Sequence, residues 1–166
     1  MSVPKVCQPG EDGNPLPVPA HRHRNPDGTV GGWVAETAQV SGHAWVAGDA
    51  RVFGGARVSG DAWVSGDAWV ADRRGVLTAG PLGSEGRIVT CHRTPDGHQV
   101  VAGCWSGTLD ELAERIDSPD AWDHGTAEDR DRWRRDYTAA IALFAPRVAE
   151  WAETPQLPMP ETEVAS

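Results

Sequence analysis

Residues 33–70 read WVAETA QVSGHA WVAGDA RVFGGA RVSGDA WVSGDA WV, a stretch with a strict period of six. The second residue of every block is valine, from Val34 to Val70, and the sixth residue of every complete block is alanine. Glycine stands two residues after five of the seven valines. A period of six does not keep side chains on one face of an α-helix, which has 3.6 residues per turn. The repeat therefore predicts short strands joined by tight turns.

The three recurrent residue types predict how each block is oriented. Valine is expected to point inward from its strand, and alanine is expected to fit a cramped corner. Glycine is expected to supply a turn conformation that a Cβ atom would hinder.

The repeat resembles the hexapeptide repeat of left-handed parallel β-helix proteins. The resemblance implies a mainly β fold, with a short left-handed parallel β-helix over residues 29–75. It also implies that three blocks complete one triangular turn, so that residues 18 apart lie above one another. Seven blocks make little more than two triangular turns, so both ends of the helix should be covered by other segments or by other subunits. Since relatives in this class are commonly trimers, the resemblance also implies a homotrimer, in which the main partner of the chain is itself.

The segments around the repeat differ from it in composition. Residues 1–28 are rich in proline and are expected to form an extended or mobile N-terminal arm. Residues 76–153 are expected to form an α+β cap, made of a hairpin and helices, over the open end of the repeat. Residues 154–166 are acidic and proline-rich, which predicts a disordered tail.

A hairpin is predicted around a turn at residues 94–97, which read TPDG. Alternation along its strands assigns the side chains to two faces. We expect Val89, Cys91 and Val101 on the face toward the core, and Val100 on the opposite face.

Two helices are predicted after the hairpin. Thr108 begins a capping box for a short helix that ends near Ile116, and Thr126 caps a longer helix. Pro146 is expected to kink or break the longer helix. An apolar stripe at helical spacing should pack this helix on the hairpin, and it consists of Trp133, Tyr137, Ile141, Phe144, Val148 and Trp151.

Three further motifs resemble those of small hexapeptide proteins that are frequent in phages and prophages. They are GGWV at 31–34, GPLGS at 80–84 and GCWSGTLDE at 103–111. With them the resemblance extends over about residues 31–145 and implies a phage-derived protein. It supports the architecture and implies no particular activity.

Length, charge and cysteine content exclude several classes of protein. A chain of 166 residues suits a single domain. Its net charge of −9, without a sustained basic patch, argues against nonspecific nucleic-acid binding. No apolar run approaches the roughly 20 residues of a membrane helix, so no membrane partner is expected. The odd count of three cysteines favours the cytoplasm over a disulfide framework.

The residue before each inward valine should point outward and stack with its counterpart one circuit away. Trp33, Arg51 and Trp69 form one such column, and Trp45 and Trp63 form another. Exposed tryptophan columns usually mark an association surface. Alternatively, the rings could stack on the base of a nucleotide-like ligand while arginine binds its phosphate. We assign the first column to a ligand and the second to a subunit interface.

Other candidate ligand residues follow the repeat. The glycine-rich loop at 83–86 could offer backbone N–H groups to an anion, although ordinary turn chemistry also explains it. Two arginines lie nearby in sequence. The predicted ligand site therefore consists of Trp33, Arg51, Trp69, Ser84, Arg87 and Arg93.

Few residues are spaced for catalysis or metal binding. His43 is a weak candidate for a general base, because no acidic partner lies close to it in sequence. His92 and Cys104 are too far apart on the hairpin to form a nucleophile–base pair. His21 and His23 lack a third ligand at a familiar spacing, so no metal is predicted. No cofactor is predicted either.

Three functions from different classes remain. The favoured one is a non-enzymatic oligomeric protein that sequesters a small anionic, nucleotide-like ligand at clefts between subunits. The second is a structural or assembly module whose acidic helical region contacts a protein partner. The third is an acyltransferase that uses acyl-CoA, an activity implied by resemblance to the broader hexapeptide superfamily.

Overall fold

The computed structural model describes residues 3–9 and 15–154, and it shows a mainly β chain that ends in helices. The first strands are β1 (Lys5–Pro9), β2 (Pro15–Arg24), β3 (Val30–Ala35), β4 (Gln39–Val40), β5 (Trp45–Val46), β6 (Arg51–Val52), β7 (Arg57–Val58), β8 (Trp63–Val64) and β9 (Trp69–Val70). They are followed by β10 (Val76–Leu82), β11 (Arg87–Thr94), β12 (Gly97–Ala102), β13 (Trp105–Gly107), α1 (Leu109–Asp117) and α2 (Ala127–Glu153). Apart from Thr154, the predicted tail at 154–166 lies outside the described residues.

Residues of the repeat that are 18 apart lie side by side in small parallel sheets. Trp33 pairs with Arg51, which pairs in turn with Trp69, so that β3, β6 and β9 are neighbours. β4 pairs with β7, and β5 pairs with β8. The backbone N–H of Trp33 donates to the carbonyl of Ala50, the residue before β6, at 2.8 Å. The predicted stacking of residues 18 apart is therefore confirmed.

The valines and alanines of the repeat form one buried cluster. Among the described residues, six of the seven valines are at most 2% exposed, and Val40 is partly buried against them. The glycine at each turn is needed for its backbone conformation, as Gly42 shows with a φ of 72°. A Cβ atom on Gly42 would lie 3.1 Å from the backbone of Gly60 in the next turn. The expected roles of valine, alanine and glycine are confirmed.

The N-terminal segment is extended, as predicted, but the described part is not a free arm. β1 and β2 form an antiparallel hairpin, and β2 also pairs with β3. Val6 and Val18 are buried in one cluster with Phe53 and Trp69 on the outside of the repeat. The expectation of an arm is corrected because these valines bury apolar surface against residues that are distant in sequence.

Side chains from flanking segments satisfy backbone groups at both ends of the repeat. Near its start, Asn25 Oδ1 accepts a hydrogen bond from the Val46 N–H at 3.0 Å. At its far end, Thr90 Oγ1 accepts one from the Trp63 N–H at 3.0 Å. A buried N–H that loses its acceptor costs about 1–3 kcal/mol. These contacts therefore replace the turns of chain that a longer repeat would supply.

The described part of the cap contains an antiparallel sheet of β10 to β13 with the helices on one face. Val89 and Cys91 of β11 pack with residues of α1 and α2 in the core of the cap. Thr90 and His92, which alternate with them, face the end of the repeat. One strand therefore joins the core of the cap to the end of the repeat.

The faces of the hairpin differ from the prediction at Val100 and Val101. Thr94 pairs with Gly97 across a two-residue turn, so an odd-numbered residue on one strand faces an even-numbered residue on the other. Val100 consequently pairs with Cys91 and lies in the core of the cap, while Val101 lies on the face toward the repeat. The predicted assignment of these two valines is wrong because it placed residues of the same parity on one face.

Both helices begin at the predicted caps. The Glu111 N–H donates to Thr108 Oγ1 while the Thr108 N–H donates to the Glu111 carboxylate, and Thr126 forms the same box with Asp129. α2 continues past Pro146, so the proline does not break it. The predicted apolar stripe of α2 is buried or half-buried. No helix in the described ranges is long and apolar enough to cross a membrane.

Replacing Thr90 with valine is expected to lower the free energy of unfolding by about 1–3 kcal/mol, because the shape is kept while the Trp63 N–H loses its acceptor. Urea denaturation measures this change. Thr138→Val is the matched control, since Thr138 is exposed and bonds only to the Arg134 carbonyl within α2. Its effect should stay within about 0.5 kcal/mol. Equal losses in the two variants would contradict a special role for Thr90.

Acid is expected to destabilise the fold through His92. Its Nε2 atom accepts a hydrogen bond from the Ser65 N–H at 3.5 Å, and burial lowers the pKa of His92 from 6.5 to about 4. Between these values the unfolded chain binds a proton that the folded chain does not. The stabilisation is therefore lost as the pH falls from about 6.5 toward 4, by about 3 kcal/mol in total.

Urea denaturation of the wild type and of His92→Gln at pH 7 and pH 4.5 measures this contribution. Glutamine keeps an acceptor near Ser65 but does not titrate. The variant should therefore lose less stability on acidification than the wild type. An identical loss in both proteins would assign the acid sensitivity to other groups.

Candidate functional site

The predicted ligand residues lie in separate places. Arg51 and Trp69 line a cleft between the repeat and the cap. Ser84 and Arg87 line a pocket within the cap. Arg93 lies in a third depression, near the end of α2, where its guanidinium donates to the Trp151 carbonyl at 3.4 Å. Within one chain these residues therefore do not line one common pocket, and their assignment to a ligand between subunits stays a prediction.

The Trp33–Arg51–Trp69 column exists, but it is not an open platform for a ring. Trp69 is only 7% exposed and packs edge-on against Phe53, with 5.8 Å between the ring centroids. The guanidinium of Arg22, on β2, lies 5.2 Å from the centroid of the Trp33 ring. Phe53 and Arg22 therefore occupy ring surface that the sequence prediction left open. Arg22 was missed because the N-terminal segment was treated as an arm.

The cleft between the repeat and the cap has a volume of about 630 Å³. His98 in its wall adds no positive charge, because burial lowers its pKa and its Nε2 accepts a hydrogen bond from the Leu109 N–H at 3.0 Å. The charged residues in the described lining of this cleft are Asp49, Asp67, Asp96, Glu111 and Arg51. Because carboxylates outnumber the guanidinium, this cleft is unsuited to an anion.

A smaller pocket, of about 180 Å³, lies between the β10–β11 loop and the two helices. Its described wall includes Trp105, Trp122, Tyr137, Arg87 and Arg115, and we call it the cap pocket. The guanidinium of Arg115 lies 6.0 Å from the centroid of the Trp105 ring, within the range of a cation–π contact. The pocket therefore combines aromatic surface with positive charge.

Glycines hold the β10–β11 loop close to the helix side of the cap pocket. Gly83 has a φ of 71° and Gly86 a φ of 60°, both in the left-handed region that favours glycine. A Cβ atom on Gly83 would lie 2.8 Å from Cε2 of Tyr137, so the loop backbone packs directly on the phenol ring. Ser84, between these glycines, lines the pocket as a result.

Arg87 is positioned by a different glycine. A Cβ atom on Gly103 would lie 2.8 Å from Cδ of Arg87, so the arginine stem lies against the Gly103 backbone. The guanidinium of Arg87 forms an ion pair with Glu85, in the same loop. The half-exposed arginine therefore lies at the wall of the pocket, with an exposed carboxylate as its neighbour.

Tyr137 contributes a neutral hydroxyl to the cap pocket. Burial raises the pKa of Tyr137, and the charges of Arg87 and Arg115 act on it in the opposite, weaker direction. The phenol therefore stays protonated near neutral pH and can donate a hydrogen bond to an anion.

The second predicted column is a stacked pair of indoles. The ring centroids of Trp45 and Trp63 are 4.8 Å apart and the ring planes differ by 14°. Trp63 is 37% exposed, which leaves aromatic surface open on this face of the repeat. We call this pair the indole stack, and its assignment to a subunit interface stays a prediction.

His43 has an acidic neighbour that sequence reasoning missed. The Asp61 carboxylate, on the next circuit of the repeat, lies 3.9 Å from His43 Nδ1, and the His43 side chain is 84% exposed. This distance is too long for a hydrogen bond. Cys104 lines the cap pocket while His92 faces the repeat, so these two form no nucleophile–base pair. In residues 3–9 and 15–154, no three His, Cys, Asp or Glu side chains are grouped to hold a metal ion.

Sequence reasoning also missed Arg115, Trp122 and Tyr137 as site residues. Tyr137 was assigned only to the apolar stripe of α2, which it also joins. The signal that could have found the site is the pair of motifs at 80–84 and 103–111, because both contribute side chains to the cap pocket. No protein-family model, curated protein or solved structure matches this chain.

Proposed function

We propose that this chain is a non-enzymatic, oligomeric binding protein whose cap pocket takes a small anionic ligand with an aromatic ring, such as a nucleotide. The observation that carries the proposal is the pair of guanidinium groups, from Arg87 and Arg115, among aromatic side chains around one pocket. Guanidinium groups bind phosphate through paired hydrogen bonds. Aromatic rings stack on nucleobases. The described lining of the cap pocket contains both kinds of side chain. Because the Arg115 guanidinium already lies 6.0 Å from the centroid of the Trp105 ring, a base would stack on the aromatic surface that this contact leaves open.

The size and lining of the cap pocket limit what such a ligand can be. Its volume of about 180 Å³ is below the roughly 300–1,000 Å³ of pockets that enclose drug-sized molecules. The ligand is therefore expected to be partly enclosed, with its anionic group toward the arginines. Ser84 and Tyr137 supply hydroxyl groups for further hydrogen bonds to that group.

We also propose that the repeat is a short left-handed parallel β-helix and that the protein assembles as a homotrimer through the indole stack. The pairing of residues 18 apart supports the first point. Exposed aromatic surface is typical of association sites, which supports the second.

Two alternative functions are each supported by a separate structural observation. A structural or assembly module is favoured by the indole stack, which needs no ligand to serve as an interface. An acyltransferase that uses acyl-CoA is favoured by the His43–Asp61 pair, although the exposed His43 and the 3.9 Å separation make a poor general base. His43→Ala should leave ligand binding unchanged if the cap pocket is the site.

Calorimetric titration with nucleoside 5′-monophosphates and cyclic nucleotides tests the proposed pocket. Arg115→Gln should weaken binding about tenfold or more, because it removes hydrogen bonds from a charged donor. The matched control is Arg135→Gln, since Arg135 is exposed on α2 and does not line the cap pocket. Heats indistinguishable from buffer for every nucleotide with the wild type would reject the proposal.

Native mass measurements test the proposed assembly. Trp63→Ala should reduce the mass of the particle, because it removes half of the indole stack. Leu143→Ala is the control, since Leu143 is 56% exposed on α2, away from that stack. If the assembly survives Trp63→Ala while nucleotide binding is lost, the indole stack holds the ligand and not a second subunit.

A further inference from the structure

Glu85 lies beside the guanidinium that the proposed ligand would need. Glu85 and Arg87 both line the cap pocket and form an ion pair across the turn between β10 and β11. Their side chains are 57% and 50% exposed, respectively. Exposed ion pairs contribute only about 0–1 kcal/mol to stability. The contact is therefore weak enough to exchange with a bound molecule.

The two side chains of this ion pair have different neighbours. The stem of Arg87 lies against the Gly103 backbone, which leaves no room for a Cβ atom there. Glu85 stands in the loop between Gly83 and Gly86. In the part of the chain that the structure describes, Arg87 is the partner found for its carboxylate. The arginine stem thus packs on backbone, whereas the contact described for the glutamate side chain is the ion pair itself, so exchange requires only that this one contact open.

Glu85 also sets the charge of the cap pocket. Arg87, Arg115 and Glu85 are the charged side chains of its described lining, which gives 2 − 1 = +1 while the carboxylate is in place. When Glu85 turns outward, the arginines present two positive charges to the pocket. Carboxylate and phosphate oxygens accept from the same guanidinium N–H groups, so they compete for Arg87.

We infer that Glu85 is an internal competitor that occupies the anion position at Arg87 and that a bound anion must displace. This inference rests on the proposed function of the cap pocket. A ligand with a dianionic phosphate uses both arginines after it displaces Glu85, whereas a singly charged or neutral ligand gains less from the exchange. Glu85 thus sets a threshold that selects ligands by the charge of their phosphate.

The test compares adenosine 5′-monophosphate, adenosine 3′,5′-cyclic monophosphate and adenosine as probes in calorimetric titrations. Glu85→Gln should raise the affinity for the 5′-monophosphate roughly three- to tenfold, because the competing charge is gone. The gain should be smaller for the cyclic monophosphate and absent for adenosine. Glu85→Ala should give the same order.

Two further variants make the result specific. Glu153→Gln changes the net charge equally at an exposed position that does not line the cap pocket, and it should leave all affinities unchanged. Arg87→Gln should abolish the gain when it is combined with Glu85→Gln. Thermal unfolding of each variant confirms that the fold is kept.

The possible outcomes distinguish failure of the Glu85 inference from failure of the proposed function of the cap pocket. If the wild type binds the 5′-monophosphate and Glu85→Gln binds it equally or more weakly, Glu85 is not a competitor, while the cap pocket stands. If Glu85→Gln raises the affinity for all three probes alike, the effect is not a competition for phosphate, and the inference is also overturned. If neither the wild type nor any variant binds any of the three probes, the proposed function and the inference both fail.

Discussion

The repeat depends on backbone hydrogen bonds that its own sequence cannot complete. An outward-facing residue of one turn donates its N–H to a carbonyl of the following turn, so the last turn contains donors that no further turn can satisfy. Thr90 and His92 supply the missing acceptors for Trp63 and Ser65. Because backbone donors that are even partly shielded from water are costly without acceptors, the cap contributes to the stability of the repeat.

The strand that supplies these acceptors also positions the cap pocket. β11 begins at Arg87, in the wall of the pocket, and continues to Thr90 and His92 at the end of the repeat. The alternate side chains Val89 and Cys91 bury themselves against the helices, which bring Arg115 and Tyr137 to the pocket. A single strand thus ties the proposed site to both the repeat and the helical layer.

The repeat, the capping boxes and the buried stripe of α2 could be predicted from the sequence, because each depends on the spacing of residues within one segment. Contacts between distant segments were not predictable in this way. Val6 and Val18 are buried by Phe53 and Trp69, and prolines obscure their pattern in the sequence. At the site, Arg87 and Ser84 were found from their loop. Arg115 and Trp122 were missed, because only packing brings the helical region to that loop.

The pairing of residues 18 apart also restricts how the length of such a protein can change. Thr90 and His92 are matched to the N–H groups of one particular face, that of β5 and β8. Insertion of a single hexapeptide would present a different face to the cap and leave both acceptors without donors. Insertion of three hexapeptides would restore the match. Homologous chains that keep this cap should therefore grow or shrink by 18 residues at a time.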